Sequence, residues 1–202
     1  RDVCGINATG QAGTKYHNPD VSKEVCNISL RSGANLMIGS SSSASDLCST
    51  PAKFLCCDEL DRWKDEIKGE GDPVSLAIQR QMRFRGMALF TSTPTVEEGR
   101  IHQHFLLGTQ QTWGVVCAGC KTWFDVRWDS IDWSGQAPIV NCPTCGVVYR
   151  ESDVKALKHQ YSEPFNTEPE TDEYGRIVRS YRVFGTLCDA FYSWKGLKEL
   201  ER

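Results

Sequence analysis

The stretch KFLCCDELDRW (residues 53–63) places two adjacent carboxylates, Asp58 and Glu59, directly after an apolar run. A short apolar run bounded by polar residues is typical of a fully buried strand in a parallel sheet. In open α/β sheets, ligands bind beyond the carboxyl ends of the strands. We therefore predict a buried strand over residues 53–57 that presents both acids at its end.

A second apolar run lies in MALFTSTPT (residues 87–95) and also ends in polar side chains, the hydroxyls of Thr91, Ser92 and Thr93. It predicts a second buried strand. If the two strands are neighbours, these hydroxyls lie beside Asp58, where they could sense the terminal phosphate of a nucleotide.

A helix is expected between the two strands. Asp72 is a good N-cap and Pro73 a good first helical residue, and the helix should run to about Phe84 and end at Gly86. The order strand, acids, helix, strand, hydroxyls is that of an α/β nucleotide-binding sheet.

Elsewhere the pattern predicts a β-hairpin over residues 25–40 around the turn RSGA, a Ser-rich loop with one short helix, and a helix over residues 97–107.

The two acids have a specific use in P-loop ATPases. An Asp at the end of an apolar strand holds the Mg²⁺ that bridges the β- and γ-phosphates, and the Glu after it orients and deprotonates the attacking water. Asp58 and Glu59 fit these two roles. The alternative is that they cap the loop or helix that follows.

The phosphate-binding loop itself is missing from the sequence. A P-loop needs G-x-x-x-x-G-K-[ST], and the nearest stretch, GINATGQAGTK (residues 5–15), lacks Gly-Lys-Ser/Thr in that order. Either the protein is not an NTPase, or we expect the loop to lie before Arg1 in a longer polypeptide.

Four of the ten cysteines form two C-x-x-C pairs, Cys117 with Cys120 and Cys142 with Cys145, separated by 21 residues. This spacing supplies four thiolates for a closed, structural, tetrahedral Zn²⁺ site. Gly146 after the second pair can adopt the left-handed conformation that such a knuckle needs, whereas the first pair has Lys121 in that place. Disulfides or unligated thiols are the alternative.

The sequence around the cysteine pairs is rich in aromatic residues. Trp123, Arg127, Trp128 and Trp133 could form a nucleic-acid surface, or they could be the small core of the zinc ribbon and its seam with the main domain. The net charge of −3 does not favour DNA binding.

The 202 residues, 40% of them hydrophobic, are enough for one domain with a small satellite. No apolar run approaches the roughly 20 residues that cross a bilayer, and no signal peptide is recognisable, so we expect a cytosolic protein. The expected domains are an ATPase fragment over residues 1–112, a zinc-ribbon insert over 113–165, and a segment over 166–202. This last segment comprises an acidic connector with a turn at Tyr174-Gly175 and a strand and helix that return to the main sheet.

Taken in order, several segments resemble the ATPase region of the large terminase subunit of lambda-type tailed phages, over roughly residues 25–202. They are GANLMIGSSSSASDLCSTPAKFLCCDELDRW, GDPVSLAIQRQMRF, ALFTSTPTVEEGRIHQHF, CAGC with CPTCG, and VFGTLCDAFYSWKGLKEL.

This resemblance implies an α/β fold, a partial P-loop NTPase (RecA-like) sheet with an inserted four-cysteine zinc ribbon. It implies a motor in which hydrolysis of Mg-ATP drives double-stranded DNA through the portal into a procapsid. Asp58 and Glu59 would be the Walker B acids, and Ser92, Thr93 and Pro94 the coupling segment. The implied partners are DNA, the portal, the small terminase subunit and further copies of the chain, in the host cytoplasm.

The same resemblance implies a Walker A element upstream and a nuclease domain downstream, so we expect this chain to be a fragment that is inactive alone. Two other classes stay open at this point. A zinc-ribbon module that binds nucleic acid or protein explains the cysteines but not the acids and hydroxyls that follow the two predicted strands. A helicase-like remodelling ATPase would share those acids and hydroxyls.

Overall fold

The structure is a computed structural model and describes residues 26–29, 33–67, 69–172, 175–187 and 193–200. It mixes short helices with small sheets. Contacts divide the chain into two compact units: the first holds the described residues up to Thr95 together with Gly99–Ile101, and the second holds Val96–Glu98 and the described residues from His102 onward. The three domain boundaries expected from the sequence stay a prediction. In the described part, no helix is both long and apolar enough to span a bilayer.

The first unit begins with the predicted hairpin. Strand β1 (Cys26–Ser29) pairs antiparallel with β2 (Asn35–Ile38), which confirms it. Within the turn, Arg31 and Ser32 lie outside the described residues, and Gly33 has a φ of 83°. Helix α1 (Ala44–Ser49) follows, as expected for the Ser-rich loop.

The parallel pair predicted from the two apolar runs is present. Strand β3 (Phe54–Cys57), helix α2 (Pro73–Gln79) and strand β4 (Met87–Phe90) follow one another, and β3 pairs with β4 in parallel, with Phe54 opposite Met87 and Cys57 opposite Phe90. One face of this pair packs on a small core. Its buried members are Cys57, Leu60 and Val74, and Leu55, Trp63, Ile78, Phe90 and Ile101 pack against them.

The prediction that both strands are fully buried is wrong for the described structure. Phe54 is 69% exposed, Met87 59% and Leu89 53%, and Cys56 is exposed too. Side chains alternate between the faces of a strand, so these four share the face that no described element covers. On the other face, burial and the neighbouring Cys56 raise the pKa of Cys57 to about 12, so its thiol stays protonated.

Helix α2 begins as predicted but ends earlier. The carboxylate of Asp72 accepts a hydrogen bond from the Ser75 amide at 2.9 Å, which confirms the N-cap. The helix ends at Gln79 rather than near Phe84, and tighter turns follow. In these turns the side-chain amide of the buried Gln81 donates to the carbonyl of Met87 at 2.6 Å, a contact to the start of β4 that stabilises the turns in place of a longer helix.

Helix α3 (Arg100–Leu107) confirms the helix predicted over residues 97–107, with a later start. Its first residues belong to the first unit and the rest to the second.

The described residues of the second unit form two small sheets. Its elements in order are β5 (Gln111–Val116), β6 (Trp123–Phe124), β7 (Ile131–Asp132), β8 (Ile139–Asn141), β9 (Val148–Arg150), α4 (Glu151–Ala156), β10 (Lys158–Tyr161), β11 (Tyr181–Arg182) and α5 (Trp194–Leu200). Strand β5 pairs antiparallel with β10 and β6 and parallel with β11. Strands β7, β8 and β9 form an antiparallel sheet.

The end of the described chain packs within this second unit. Strand β11 pairs with β5 and not with β3 or β4, where the sequence analysis expected the returning strand. Trp194 of α5 is 1% exposed and joins the core formed by Val115, Phe124 and their neighbours. Burial of this large side chain fixes α5 against that core.

The acidic connector turns near the predicted position. The Gly175 amide donates to the carbonyl of Asp172 at 2.9 Å, and Gly175 has a φ of 73°. The other residue of the predicted turn, Tyr174, lies outside the described residues.

Gly86→Ala is expected to destabilise the first unit by about 3 kcal/mol, because a Cβ at Gly86 would lie 1.9 Å from the carbonyl oxygen of Lys53, which is backbone and cannot yield. Denaturant unfolding and hydrogen exchange at the Met87 amide measure the effect. Gly185→Ala is the control, since a Cβ there meets nothing within 4 Å. Equal stability of the two variants would contradict the prediction.

Candidate functional site

The carboxyl ends of β3 and β4 meet through hydrogen bonds. The hydroxyl of Thr91 donates to Oδ1 of Asp58 at 2.6 Å, and the Glu59 amide donates to the same oxygen at 3.0 Å. The backbone continues this contact, because the Thr91 amide donates to Cys57 and the Leu60 amide donates to Thr91. The structure therefore places Asp58 and Thr91 side by side, as expected if the strands are neighbours.

Glu59 lies in a sharp turn with left-handed backbone, at a φ of 52°. This conformation is uncommon outside glycine and recurs at functional sites. The turn continues into a short 3₁₀ helix over Leu60–Arg62, in which Leu60 is fully buried and anchors the backbone. The Glu59 side chain is 52% exposed and lies 3.4 Å from Arg62. Such a surface pair is weak, so the carboxylate can exchange Arg62 for water.

We call residues 58–61 the acidic turn. Ser92 contacts this turn at Asp61 rather than at Asp58. Its Oγ accepts a hydrogen bond from the Asp61 amide at 3.2 Å and donates to the carbonyl of Thr93 at 3.2 Å. Thr93 itself is exposed. Of the three predicted hydroxyls, Thr91 is therefore the one beside Asp58.

Asp61 is a residue of this site that the sequence analysis missed. Its Oδ2 accepts from the amide of Thr95 at 2.9 Å and from its hydroxyl at 3.2 Å, and Oδ1 accepts from the Ile101 amide at 2.7 Å. Asp61 thus joins the acidic turn to the segment after β4 and to the first turn of α3. No local pattern reveals this role, because the partners lie 34 and 40 residues away.

Arg100 makes a second connection in the same unit. Its guanidinium bonds Asp72 at 2.6 Å and Asp65 at 3.1 Å. Partial burial by itself would raise the pKa of Asp72. The hydrogen bonds from Arg100 and Ser75 outweigh it and hold this pKa below its usual value. The N-cap of α2 therefore stays charged and is tied to the first residue of α3.

The two cysteine pairs of the second unit form matching knuckles. The Lys121 amide donates to the carbonyl of Cys117 at 3.1 Å, and the Gly146 amide donates to that of Cys142 at 2.9 Å. Gly146 has a φ of 75°, which confirms the expected left-handed conformation, and Lys121 adopts the same one at 63°. The lysine in the first knuckle is therefore no obstacle to its geometry.

The four sulfurs converge on one point. All four Sγ atoms lie within 4.8 Å of one another, with Cys117 and Cys145 at 3.6 Å and Cys120 and Cys142 at 3.7 Å. These distances are too long for disulfides, which have S–S bonds of about 2.05 Å. Four thiolates at about 2.3 Å from a tetrahedral Zn²⁺ lie about 3.8 Å apart. The arrangement thus fits a four-thiolate metal site and leaves no open coordination position.

Hydrogen-bond donors surround this cluster. The Tyr149 hydroxyl, 3.1 Å from Sγ of Cys117, and the Cys120 amide lower the pKa of Cys117 to about 6. Hydrogen bonds from the hydroxyl and amide of Thr122 lower the pKa of Cys120. These shifts favour the thiolate, the form that binds metal, at Cys117 and Cys120. At Cys145 the Val147 amide acts in the same direction, but burial and the other three cysteines raise the pKa to about 11.

The tryptophans near the cluster make internal contacts. Trp128 and Trp133 stack with ring centroids 4.1 Å apart, and Trp133 packs against the core. The Trp123 indole donates to the carbonyl of Gln160 at 3.1 Å, and Arg127 pairs with Asp125 at 2.6 Å. These contacts support the interpretation as ribbon core over that as a nucleic-acid surface.

A family model described as phage terminase large subunit gpA, ATPase domain, matches residues 14–160. The chain belongs to this family. No curated protein and no solved structure gave a significant match. The matched range of this terminase ATPase domain includes the acidic turn, the segment after β4 and all four clustered cysteines. The family assignment made from the sequence is therefore confirmed.

In this terminase ATPase domain, Asp61→Ala should loosen the segment after β4 and the start of α3, because three hydrogen bonds to one carboxylate are lost. The expected cost is about 1–2 kcal/mol, as for an N-cap. Hydrogen exchange at the Thr95 and Ile101 amides measures it. Asp65→Ala is the control, since that side chain is fully exposed and pairs with Arg100 at the surface. Unchanged protection of both amides in Asp61→Ala would show that the carboxylate does not hold these segments.

Proposed function

We propose that this chain is part of the ATP-driven motor that packages double-stranded DNA into a phage procapsid, and that β3 and β4 belong to a P-loop NTPase (RecA-like) sheet. One observation carries the proposal: in a chain of a terminase ATPase family, the Thr91 hydroxyl donates at 2.6 Å to Asp58 where two parallel strands end. That edge is where α/β sheets bind their ligands.

We assign Asp58 to the Mg²⁺ of Mg-ATP. A carboxylate at this edge suits a hard cation, and the hydrogen bonds from the Thr91 hydroxyl and the Glu59 amide orient it. The bound Mg²⁺ would neutralise charge on the phosphates during transfer.

We assign Glu59 as the general base. Its backbone precedes the buried Leu60, while its carboxylate lies at the surface, and the partner that the described residues give it is the weakly held Arg62. A carboxylate so placed can orient a water molecule and accept its proton. The different contacts of the two carboxylates, Asp58 with Thr91 and Glu59 with Arg62, are consistent with different roles.

We assign Ser92 and Thr93 to coupling. Ser92 bonds the Asp61 backbone, and the Asp61 side chain bonds Thr95 and Ile101. A displacement of the acidic turn on loss of the terminal phosphate would therefore move the segment after β4 and the start of α3 together. These contacts support the proposed coupling role, because they link the strand end to the start of α3.

The cysteine cluster has a structural role in this proposal. Four thiolates without an open position suit Zn²⁺ as a structural ion, and metal binding by such a small ribbon is coupled to its folding. Cys117 and Cys142 are themselves members of the buried core, so the ion would hold the interior of the second unit.

The remaining assignments follow from the family. Double-stranded DNA, the portal, the small terminase subunit and further copies of the chain are the proposed partners, in the host cytoplasm. A Walker A loop and a nuclease domain would belong to the complete large subunit, and the 202 residues alone would not hydrolyse ATP.

Protein purified without chelator should contain one Zn²⁺ per chain. Cys142→Ser should lower the zinc content and the thermal stability together, because it removes a buried ligand from the core. Elemental analysis and thermal unfolding measure both. Cys48→Ser is the control, since Cys48 lies outside the cluster. Absence of zinc from the parent would refute the metal assignment.

In the full-length large subunit, Glu59→Gln should keep ATP binding and lower single-turnover hydrolysis by about 10²- to 10⁴-fold, because the amide keeps the shape but cannot accept a proton. Asp58→Asn should weaken Mg²⁺-dependent nucleotide binding as well. Glu66→Gln, another exposed acid, should match the parent. Hydrolysis by Glu59→Gln at the parent rate would mean that the pair is only a structural cap.

Single-turnover hydrolysis measured beside DNA packaging separates the coupling role from the chemical step. Ser92→Ala and Thr93→Ala should retain part of the hydrolysis while DNA packaging falls further, because these residues transmit a movement and do not touch the reacting atoms. A parallel loss of both activities would place them in the chemical step instead.

A further inference from the structure

The hydroxyl of Tyr149 lies next to the cysteine cluster. Tyr149 is in β9, is 6% exposed, and its ring stacks on Phe124 with centroids 6.2 Å apart. The hydroxyl oxygen lies 3.1 Å from Sγ of Cys117 and 2.9 Å from the amide nitrogen of Ala118. One atom of β9, which follows the second knuckle, thus contacts two residues of the first knuckle.

The direction of these hydrogen bonds follows from their chemistry. The Ala118 amide can only donate, so the hydroxyl oxygen accepts there and its hydrogen is left for the sulfur. A thiolate bound to metal carries no proton. In the loaded site, Tyr149 is therefore the donor and Cys117 the acceptor.

The negative charge of the loaded site is the reason why the hydrogen bond from Tyr149 to Cys117 matters for metal binding. Four thiolates and one Zn²⁺ carry a net charge of −2, which must be held in a core that includes Cys117 and Cys142. Hydrogen bonds to the sulfurs delocalise that negative charge and orient the ligands. Residues that donate such bonds without binding the metal themselves therefore influence the metal affinity. Among the described residues, the amides of Gly119 and Cys120, from the same knuckle, also donate to Cys117.

We propose that Tyr149 is a positioning residue of the metal site: its hydroxyl holds the first knuckle in the ligating conformation and stabilises the metal-bound thiolate of Cys117. The inference rests on the proposed metal site and concerns its affinity and electronic structure rather than the motor activity. The buried ring is needed for packing, whereas the hydroxyl acts on the sulfur.

The test uses Co²⁺ as a spectroscopic probe in the whole chain. Tyr149→Phe keeps the ring and removes the hydroxyl. We expect Co²⁺ and Zn²⁺ affinities about 10- to 100-fold lower than in the parent. We also expect the sulfur-to-cobalt charge-transfer band to move to longer wavelength, because the sulfur loses a hydrogen bond that lowers the energy of its lone pairs.

Tyr161→Phe is the matched control. Tyr161 lies in β10 and its ring contacts Trp113 and Tyr181, away from the sulfurs. It should leave the band and both affinities unchanged. A purely structural role for Tyr149 would lower stability without moving the charge-transfer band.

A second replacement covers the case in which Tyr149→Phe does not fold. With 3-fluorotyrosine at position 149, ring and hydroxyl remain and the hydroxyl is a stronger donor, so the band should move to shorter wavelength. A parent that binds Co²⁺ through four thiolates, with an unchanged band and affinity in the Tyr149 variants, overturns this inference alone. A parent that binds neither ion overturns the metal site as well.

Discussion

The parallel pairing of β3 with β4 is the constraint on which the acidic turn depends. Because the two strands run in the same direction, Asp58 and Thr91 leave the sheet at the same edge, and their side chains meet at 2.6 Å. After this edge the backbone turns through a left-handed Glu59, and Leu60 is buried in the core beneath the strands. The strand pair therefore sets where the acids leave the sheet, and the buried leucine anchors the turn that follows.

The second unit depends on a different constraint, the convergence of four cysteines inside a small core. Its strands are two to six residues long, and Cys117 and Cys142 occupy core positions that larger apolar side chains would otherwise fill. Small ribbons of this kind bury little apolar surface, so a bound metal supplies stabilisation that packing alone does not. The matching knuckles and the donors around the sulfurs are features of the chain itself that suit four thiolates around one ion.

The two units illustrate different limits of sequence analysis. The parallel pair was predicted correctly, but the prediction that both strands are fully buried was wrong. An apolar run has the same sequence pattern whether one face or both faces of the strand are covered. In the ribbon, the tryptophans admitted two interpretations, and only the stacking of Trp128 on Trp133 favoured the core.

The sequence alone determined the features that depend on near neighbours along the chain. These are the acids at a strand end, the Asp72 N-cap, the two C-x-x-C knuckles with Gly146, and the hairpin, all of which rest on backbone preferences and hydrogen bonds over a few residues. Only the tertiary structure decided that Asp61 caps Ile101, that β11 pairs with β5, and that Tyr149 meets Cys117. These contacts join residues 40, about 70 and 32 positions apart. They arise because packing brings distant segments to the same place, and a local pattern carries no information about that.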